Sequence, residues 1–227
     1  MPDKTTLDPK WGQPDGTHDP RVLAHFQALE SDVLITTAPK AGTTWMQQIL
    51  YQMRSGGNTD FDNIDSVVPW LELPRRDKSW RQVLDDYDTL PRPRLFKTHC
   101  TAEQTPGIGT ARIILTVRDP RDCCVSFYHH LINMTDSARD MTGHQRPASF
   151  AAHVETWLKF AAWFRNVKSW WPYRDHEKVL LFRYEDLKRD PGAGVDRIAA
   201  FLNWVVTPEH KAKVLKYSSF DWMKAHD

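Results

Sequence analysis

The chain has 227 residues, enough for one α/β domain with a sizeable core. Its 30 Lys and Arg balance 29 Asp and Glu, which excludes a nucleic-acid binder working by bulk charge. No apolar run approaches the roughly 18 residues of a membrane span, and the three cysteines (Cys100, Cys123, Cys124) form no spaced framework, so they read as free thiols in a reducing, cytoplasmic setting.

The opening segment, MPDKTTLDPKWGQPDG, is polar and turn-rich and lacks the apolar core of a signal peptide. Residues 1–30 read as an N-terminal extension. The first apolar run, DVLITTA (32–38), is predicted as a buried strand. It stops at Pro39, and Lys40, Ala41, Gly42, Thr43 and Thr44 follow in a tight group before an amphipathic helix whose stripe is Trp45, Ile49, Leu50 and Met53. Such a loop offers helix N–H groups and a positive dipole end, with Gly42 permitting close backbone approach and Lys40 adding charge: a phosphate cradle. It is not a Walker A loop, because the lysine precedes the glycine. The alternative is a plain helix start behind a proline turn, with Lys40 solvated.

The stretch 55–93, rich in Asp, Pro and Arg, reads as an excursion of the kind that closes over a ligand. A second strand, RLFKT (94–98), carries Lys97 and leads into His99. A third, RIILTV (112–117), ends at Arg118. Asp119 is placed to cap the next helix, with Pro120 at its first position and Asp122 in its first turn. Residues 134–147 form another excursion, and 147–171 predict one or two long helices. The fourth strand, KVLLFR (178–183), ends at Tyr184. Helices follow on the stripe of Val195, Ile198, Ala199 and Leu202, and after Thr207-Pro208. Alternating strands and helices predict a parallel sheet with helices on both faces. The chemistry-bearing residues then converge beyond the carboxyl ends of the strands, where such sheets bind ligands. Ten tryptophans are many, and packing is the default role for most.

APKAGTTW (38–45) resembles the phosphosulfate-binding loop of the cytosolic-type sulfotransferases. Other matches follow in that family's order: VVPWLE (67–72), KTH (97–99), VRDPRDCCVSFYHH (117–130), WFRNVKSWW (163–171), FRYEDLKRDP (182–191) and YSSFDWMK (217–224). The resemblance spans residues about 30 to 225. It implies one domain over 1–227 with a P-loop-like nucleotide-binding architecture, 3'-phosphoadenosine 5'-phosphosulfate as donor, 3',5'-bisphosphoadenosine as product and a small-molecule acceptor. It implies His99 as general base, Lys40 on the bridging oxygen and Lys97 on the transferring sulfonate. Arg118 and Ser126 would hold the 3'-phosphate, with Trp45 on adenine and Tyr184 and Ser218 as further donor contacts. Trp70, Glu72 and His130 match positions near the acceptor.

Each residue also has a structural alternative: a core-facing Trp45, a strand-end salt bridge for Lys97, an Arg–Asp pair for Arg118, a satisfied buried hydroxyl for Tyr184 and a helix-terminal role for Ser218. No compact acidic metal site is legible, and lysines are expected to serve where kinases use magnesium. Ala41, Cys100-Thr101 and Asp119 depart from the family's Ser, Leu-Pro and Asn. The family's RKG-x-x-GDWK segment, which closes over the 3'-phosphate, is expected to follow Asp227. A P-loop-like kinase and a non-catalytic bisphosphoadenosine binder are the competing readings, and a monomer or homodimer is expected.

Overall fold

The computed structural model describes residues 7–226. Four strands, β1 (Val33–Thr36), β2 (Leu95–Thr98), β3 (Arg112–Val117) and β4 (Val179–Arg183), pair in parallel in the order β2-β1-β3-β4. All four fall inside the runs that their apolar character predicts. Parallel pairing needs crossovers, and twelve α-helices among the described residues supply and extend them. They are α1 (Pro20–His25), α2 (Thr43–Ser55), α3 (Ile64–Val67), α4 (Trp80–Asp88), α5 (Pro120–Asn133), α6 (Asp136–Thr142), α7 (Phe150–Phe160), α8 (Ala162–Trp170), α9 (Tyr184–Arg189), α10 (Pro191–Leu202), α11 (Pro208–Tyr217) and α12 (Phe220–Ala225). None of these is long and apolar enough to cross a membrane.

Side chains alternate across the sheet and divide the core. Leu34, Phe96, Ile113 and Leu115 face one cluster with Val22, Leu23 and Phe26 around α1, Tyr87 of α4 and Trp170 of α8. Val33, Ile35, Leu95, Ile114 and Phe182 face a second cluster with Ile49 and Leu50 of α2, Val195 and Ile198 of α10 and Val214 of α11. Both faces are therefore covered. The segment expected as an N-terminal extension contributes Val22, Leu23 and Phe26 to the first cluster, so from about residue 20 it belongs to the core.

Local chemistry sets the helix ends. Asp119 accepts from the Arg121 N–H with Pro120 in the first turn, as its position predicts, and Thr207 caps α11 from the His210 N–H. The long pattern over 147–171 divides at Ala161, whose φ of 50° lies in the left-handed region and separates α7 from α8. α2 is buried beyond its predicted stripe: Gln47, Gln48 and Gln52 are also inside. Their NH2 groups donate to the carbonyls of Val68, Tyr217 and Asn58, while the side-chain oxygens of Gln47 and Gln52 are buried without a hydrogen-bond partner among the described residues.

Candidate active site

The carboxyl ends of β1, β2, β3 and β4 run into the Lys40 loop, His99, Arg118 and Tyr184 respectively. Parallel order alone therefore brings the four sequence segments to one edge. At the β1–α2 turn, Lys40 adopts a φ of 65° and Gly42 one of 99°. The Ala41 N–H bonds the Ala38 carbonyl at 3.1 Å, and the Met46 N–H bonds the Gly42 carbonyl at 3.0 Å. Gly42 caps α2 without a side-chain hydrogen bond, which leaves the first-turn N–H groups uncapped among the described residues. A Cβ on Gly42 would lie 2.9 Å from the Tyr184 ring, so glycine is required by both conformation and space.

The loop is held from below. Thr116 donates to the Ala41 carbonyl at 2.7 Å, the Thr43 hydroxyl bonds that of Thr37, and Ala38 and Ala41 pack on Cys123 with Trp157 and Trp163. Thr43 is thereby turned inward while Thr44 remains exposed. Arg118 Nη1 donates to the Lys40 carbonyl at 3.3 Å, and the guanidinium lies 4.7 Å from the Tyr184 ring centre. The expected Arg–Asp pair is present but long: Arg118 Nε is 3.7 Å from Asp122, and Nε is buried with no hydrogen-bond partner among the described residues. A buried guanidinium N–H without an acceptor suits an incoming anion. Ser126 lies half-buried on α5. Trp45 is at the margin of the second core cluster. Its indole N–H donates to the Ser218 carbonyl at 2.9 Å, and its ring meets Tyr184 edge-on at 5.6 Å.

At the end of β2, His99 Nδ1 lies 2.8 Å from the Thr37 carbonyl. A carbonyl can only accept, so Nδ1 carries the proton and Nε2 keeps its lone pair. Burial pushes the His99 pKa down to about 4; the Thr37 bond opposes this, and Lys97 and Lys40 reinforce it. The ring is therefore neutral at pH 7, and both lysines act on it. Trp70 packs edge-on against His99 at 5.0 Å. His130, exposed further out on α5, has its pKa lowered to about 4 by partial desolvation and then by Lys40, His144 and Lys97.

Two of the expected site residues are turned inward. Glu72 is 2% exposed; its Oε1 accepts from the Thr98 hydroxyl at 2.9 Å and the His99 N–H at 3.3 Å, and its Oε2 has no hydrogen-bond partner among the described residues. It supports the strand end because an otherwise unpaired backbone N–H there needs an acceptor. Ser218 is 3% exposed; its hydroxyl donates to the Val214 carbonyl at 2.7 Å, and its carbonyl accepts from the Trp45 indole N–H.

Other supports have no motif of their own. On α8, Trp163 donates to the Arg118 carbonyl at 3.1 Å, Asn166 to the Cys100 carbonyl at 2.9 Å and Trp170 to the same carbonyl at 3.3 Å. This one helix braces the ends of β2 and β3; the clustering of Trp and Asn at helical spacing in WFRNVKSWW is the signal that could have revealed it. Lys97 pairs with Asp65 of α3, a residue no sequence pattern marks. Among the described residues, His18, Glu72 and Cys100 bring one ligand-type atom each within 4.8 Å of one another. Burial and the Glu72 charge raise the Cys100 pKa well above its ordinary value, and the thiol donates to Glu72 Oε1 at 3.6 Å.

A family model described as the sulfotransferase domain matches residues 30–227. The chain belongs to the sulfotransferase family. This sulfotransferase is 32% identical to human sulfotransferase 1E1 over 209 residues, covering 88% of the chain and 68% of that protein. It is 32% identical to human sulfotransferase 2A1 over 214 residues, covering 90% and 70%. Among solved structures, mouse sulfotransferase SULT7A1 complexed with PAP superposes with a TM-score of 0.71 at 26% identity, covering 88% of this chain and 68% of that one. The family membership does not favour the kinase reading, in line with a sulfotransferase loop whose lysine precedes its glycine.

Proposed function

We propose that this chain transfers the sulfuryl group of 3'-phosphoadenosine 5'-phosphosulfate to a hydroxyl or amine of a small-molecule acceptor. The observation that carries the reading is the locked His99 tautomer, with its Nε2 lone pair available beside Lys40 and Lys97 at the sheet edge. The donor supplies an activated sulfuryl group and a phosphoadenosine leaving group. As the acceptor oxygen bonds to sulfur, the bridging S–O bond breaks and the acceptor proton passes to His99 Nε2. Lys40 stabilises charge on the bridging oxygen, and Lys97 holds the transferring sulfonate.

The uncapped start of α2, Gly42, Thr43, Thr44 and the backbone of Ala41 cradle the 5'-phosphosulfate. Arg118, whose Nε lacks an acceptor among the described residues, takes the 3'-phosphate with Ser126. Trp45 and Tyr184 flank the adenosine. The PAP complex of the mouse relative supports this assignment of donor and product. Trp70 and His130 border the acceptor. Retention of His99 with both lysines favours catalysis over mere binding, because binding would not need a base. The free, buried cysteines fit a cytoplasmic setting.

The test is transfer of label from 35S-labelled donor to a panel of phenols, alcohols and amines without added magnesium. Label in an acceptor supports the reading. Strict magnesium dependence with ATP as the better donor overturns it.

A further inference from the structure

Lys97 is half-buried, and its ammonium is already committed. Nζ lies 3.0 Å from Asp65 Oδ1 and 3.2 Å from Oδ2, and 5.0 Å from the centre of the Trp70 ring. Its side chain is only 12% exposed, against 36% for Asp65. Asp65 is itself fixed. Gln47 of α2, completely buried, donates through Nε2 to Asp65 Oδ1 at 2.9 Å and to the Val68 carbonyl at 2.8 Å. The chain beyond α3 is zipped onto β2: the Lys97 N–H bonds the Pro69 carbonyl at 2.9 Å, and the Leu71 N–H bonds the Lys97 carbonyl at 2.8 Å. The backbone register, the glutamine and the aromatic wall thus all aim one carboxylate at one lysine. The same α2 that begins at the phosphate loop carries the Gln47 that holds this carboxylate.

We propose that Asp65 is a positioning residue that holds Lys97 in a donor-free arrangement, and that the sulfuryl oxygens of the donor exchange with the Asp65 carboxylate for the ammonium. The proposal rests on the reading of Lys97 as the sulfonate-binding cation. A carboxylate is the stronger competitor for an ammonium, because a sulfonate oxygen is much less basic. Binding of the sulfuryl group therefore works against the Asp65 pair, whereas 3',5'-bisphosphoadenosine, which has no sulfuryl group, leaves that pair intact. Asp65 consequently lowers affinity for donor relative to product, and it directs Lys97 back to its resting place after transfer.

The experiment measures equilibrium dissociation constants for donor and for 3',5'-bisphosphoadenosine, without acceptor, in wild type, Asp65→Asn, Lys97→Met and the double variant. Asparagine keeps the shape and the Gln47 bond but removes the charge. The expected result is donor binding tighter by about three- to tenfold in Asp65→Asn, with bisphosphoadenosine changed less than about twofold. In the Lys97→Met background the Asp65 change has no effect on that ratio. A merely structural Asp65 shifts both ligands together and lowers the melting temperature, and that outcome overturns the proposal. A donor-to-product ratio in Asp65→Asn equal to that of a wild type that transfers label normally also overturns it, while leaving the sulfotransferase activity standing. Absence of label transfer in the wild type removes the underlying activity instead.

Discussion

The proton state of His99 is set by its neighbours rather than by its own chemistry. The Thr37 carbonyl fixes which nitrogen is protonated, burial keeps the ring neutral, and two lysines oppose a positive charge on it. Replacement of His99 by Ala is expected to cut turnover by about 10²–10⁴-fold while bisphosphoadenosine binding persists; near-normal turnover would remove His99 from the base role. The pKa also has a consequence for stability. Its folded value of about 4 lies below the ordinary 6.5, so the unfolded chain holds more protons between these pH values. Stability contributed by the neutral ring is complete above pH 6.5 and is lost as pH falls toward 4. Thermal unfolding of His99→Gln should therefore decline less steeply than wild type across that window, and identical slopes would contradict the assigned shift. Arg118 has a separate signature. Arg118→Ala is expected to weaken bisphosphoadenosine by about 1.5–3 kcal/mol, and the analogue lacking the 3'-phosphate far less. Equal losses would mean that Arg118 acts through the fold of the loop, whose Lys40 carbonyl it also binds.

The turn between β1 and α2 is the element on which the proposed donor cradle depends, and its backbone is more demanding than its side chains. Gly42 combines a φ of 99° with a 2.9 Å approach to Tyr184. Alanine there would strain the backbone and press on the ring at once. Gly42→Ala is expected to weaken bisphosphoadenosine binding about tenfold by calorimetry, and unchanged affinity would argue that the turn is not the cradle. This element was legible because an apolar run ends at Pro39 and a lysine, a glycine and two hydroxyls follow at once. The bracing of the other strand ends was less legible. Trp163, Asn166 and Trp170 read as a helical stripe, and only packing reveals that their polar atoms meet the Arg118 and Cys100 carbonyls. The inward turn of Glu72 was illegible for a related reason. A carboxylate beside a motif resembles a surface ligand, yet a strand end with an unpaired N–H draws it inside.

Across the whole molecule, the two ends of the sheet carry different work. Opposite the site, where β1 and β2 begin, Asp32 and Arg94 form a pair with side chains 0% and 1% exposed, at 2.6 and 2.9 Å. Arg94 also reaches Asp88 of α4 and the Gln27 carbonyl after α1, so this pair ties the strands to the helices on one face. Asp32→Ala would leave a buried guanidinium without its partner. A loss of about 3–5 kcal/mol is expected in urea unfolding, with a loss below about 1 kcal/mol counting against the pair's role. By itself the sequence determined the strands, their parallel alternation with helices, the phosphate turn and the convergence of Lys40, Lys97, His99, Arg118 and Tyr184 on one edge. These follow from local periodicity, turn chemistry and the rule that parallel sheets bind ligands at their carboxyl ends. Tertiary structure alone decided which His99 nitrogen holds the proton, that Glu72 and the Ser218 hydroxyl turn inward, and that Lys97 faces Asp65. Each depends on a partner 26 to 62 residues away, except the local Ser218 bond, and such pairings are set by how burial and hydrogen-bond demand are met in space.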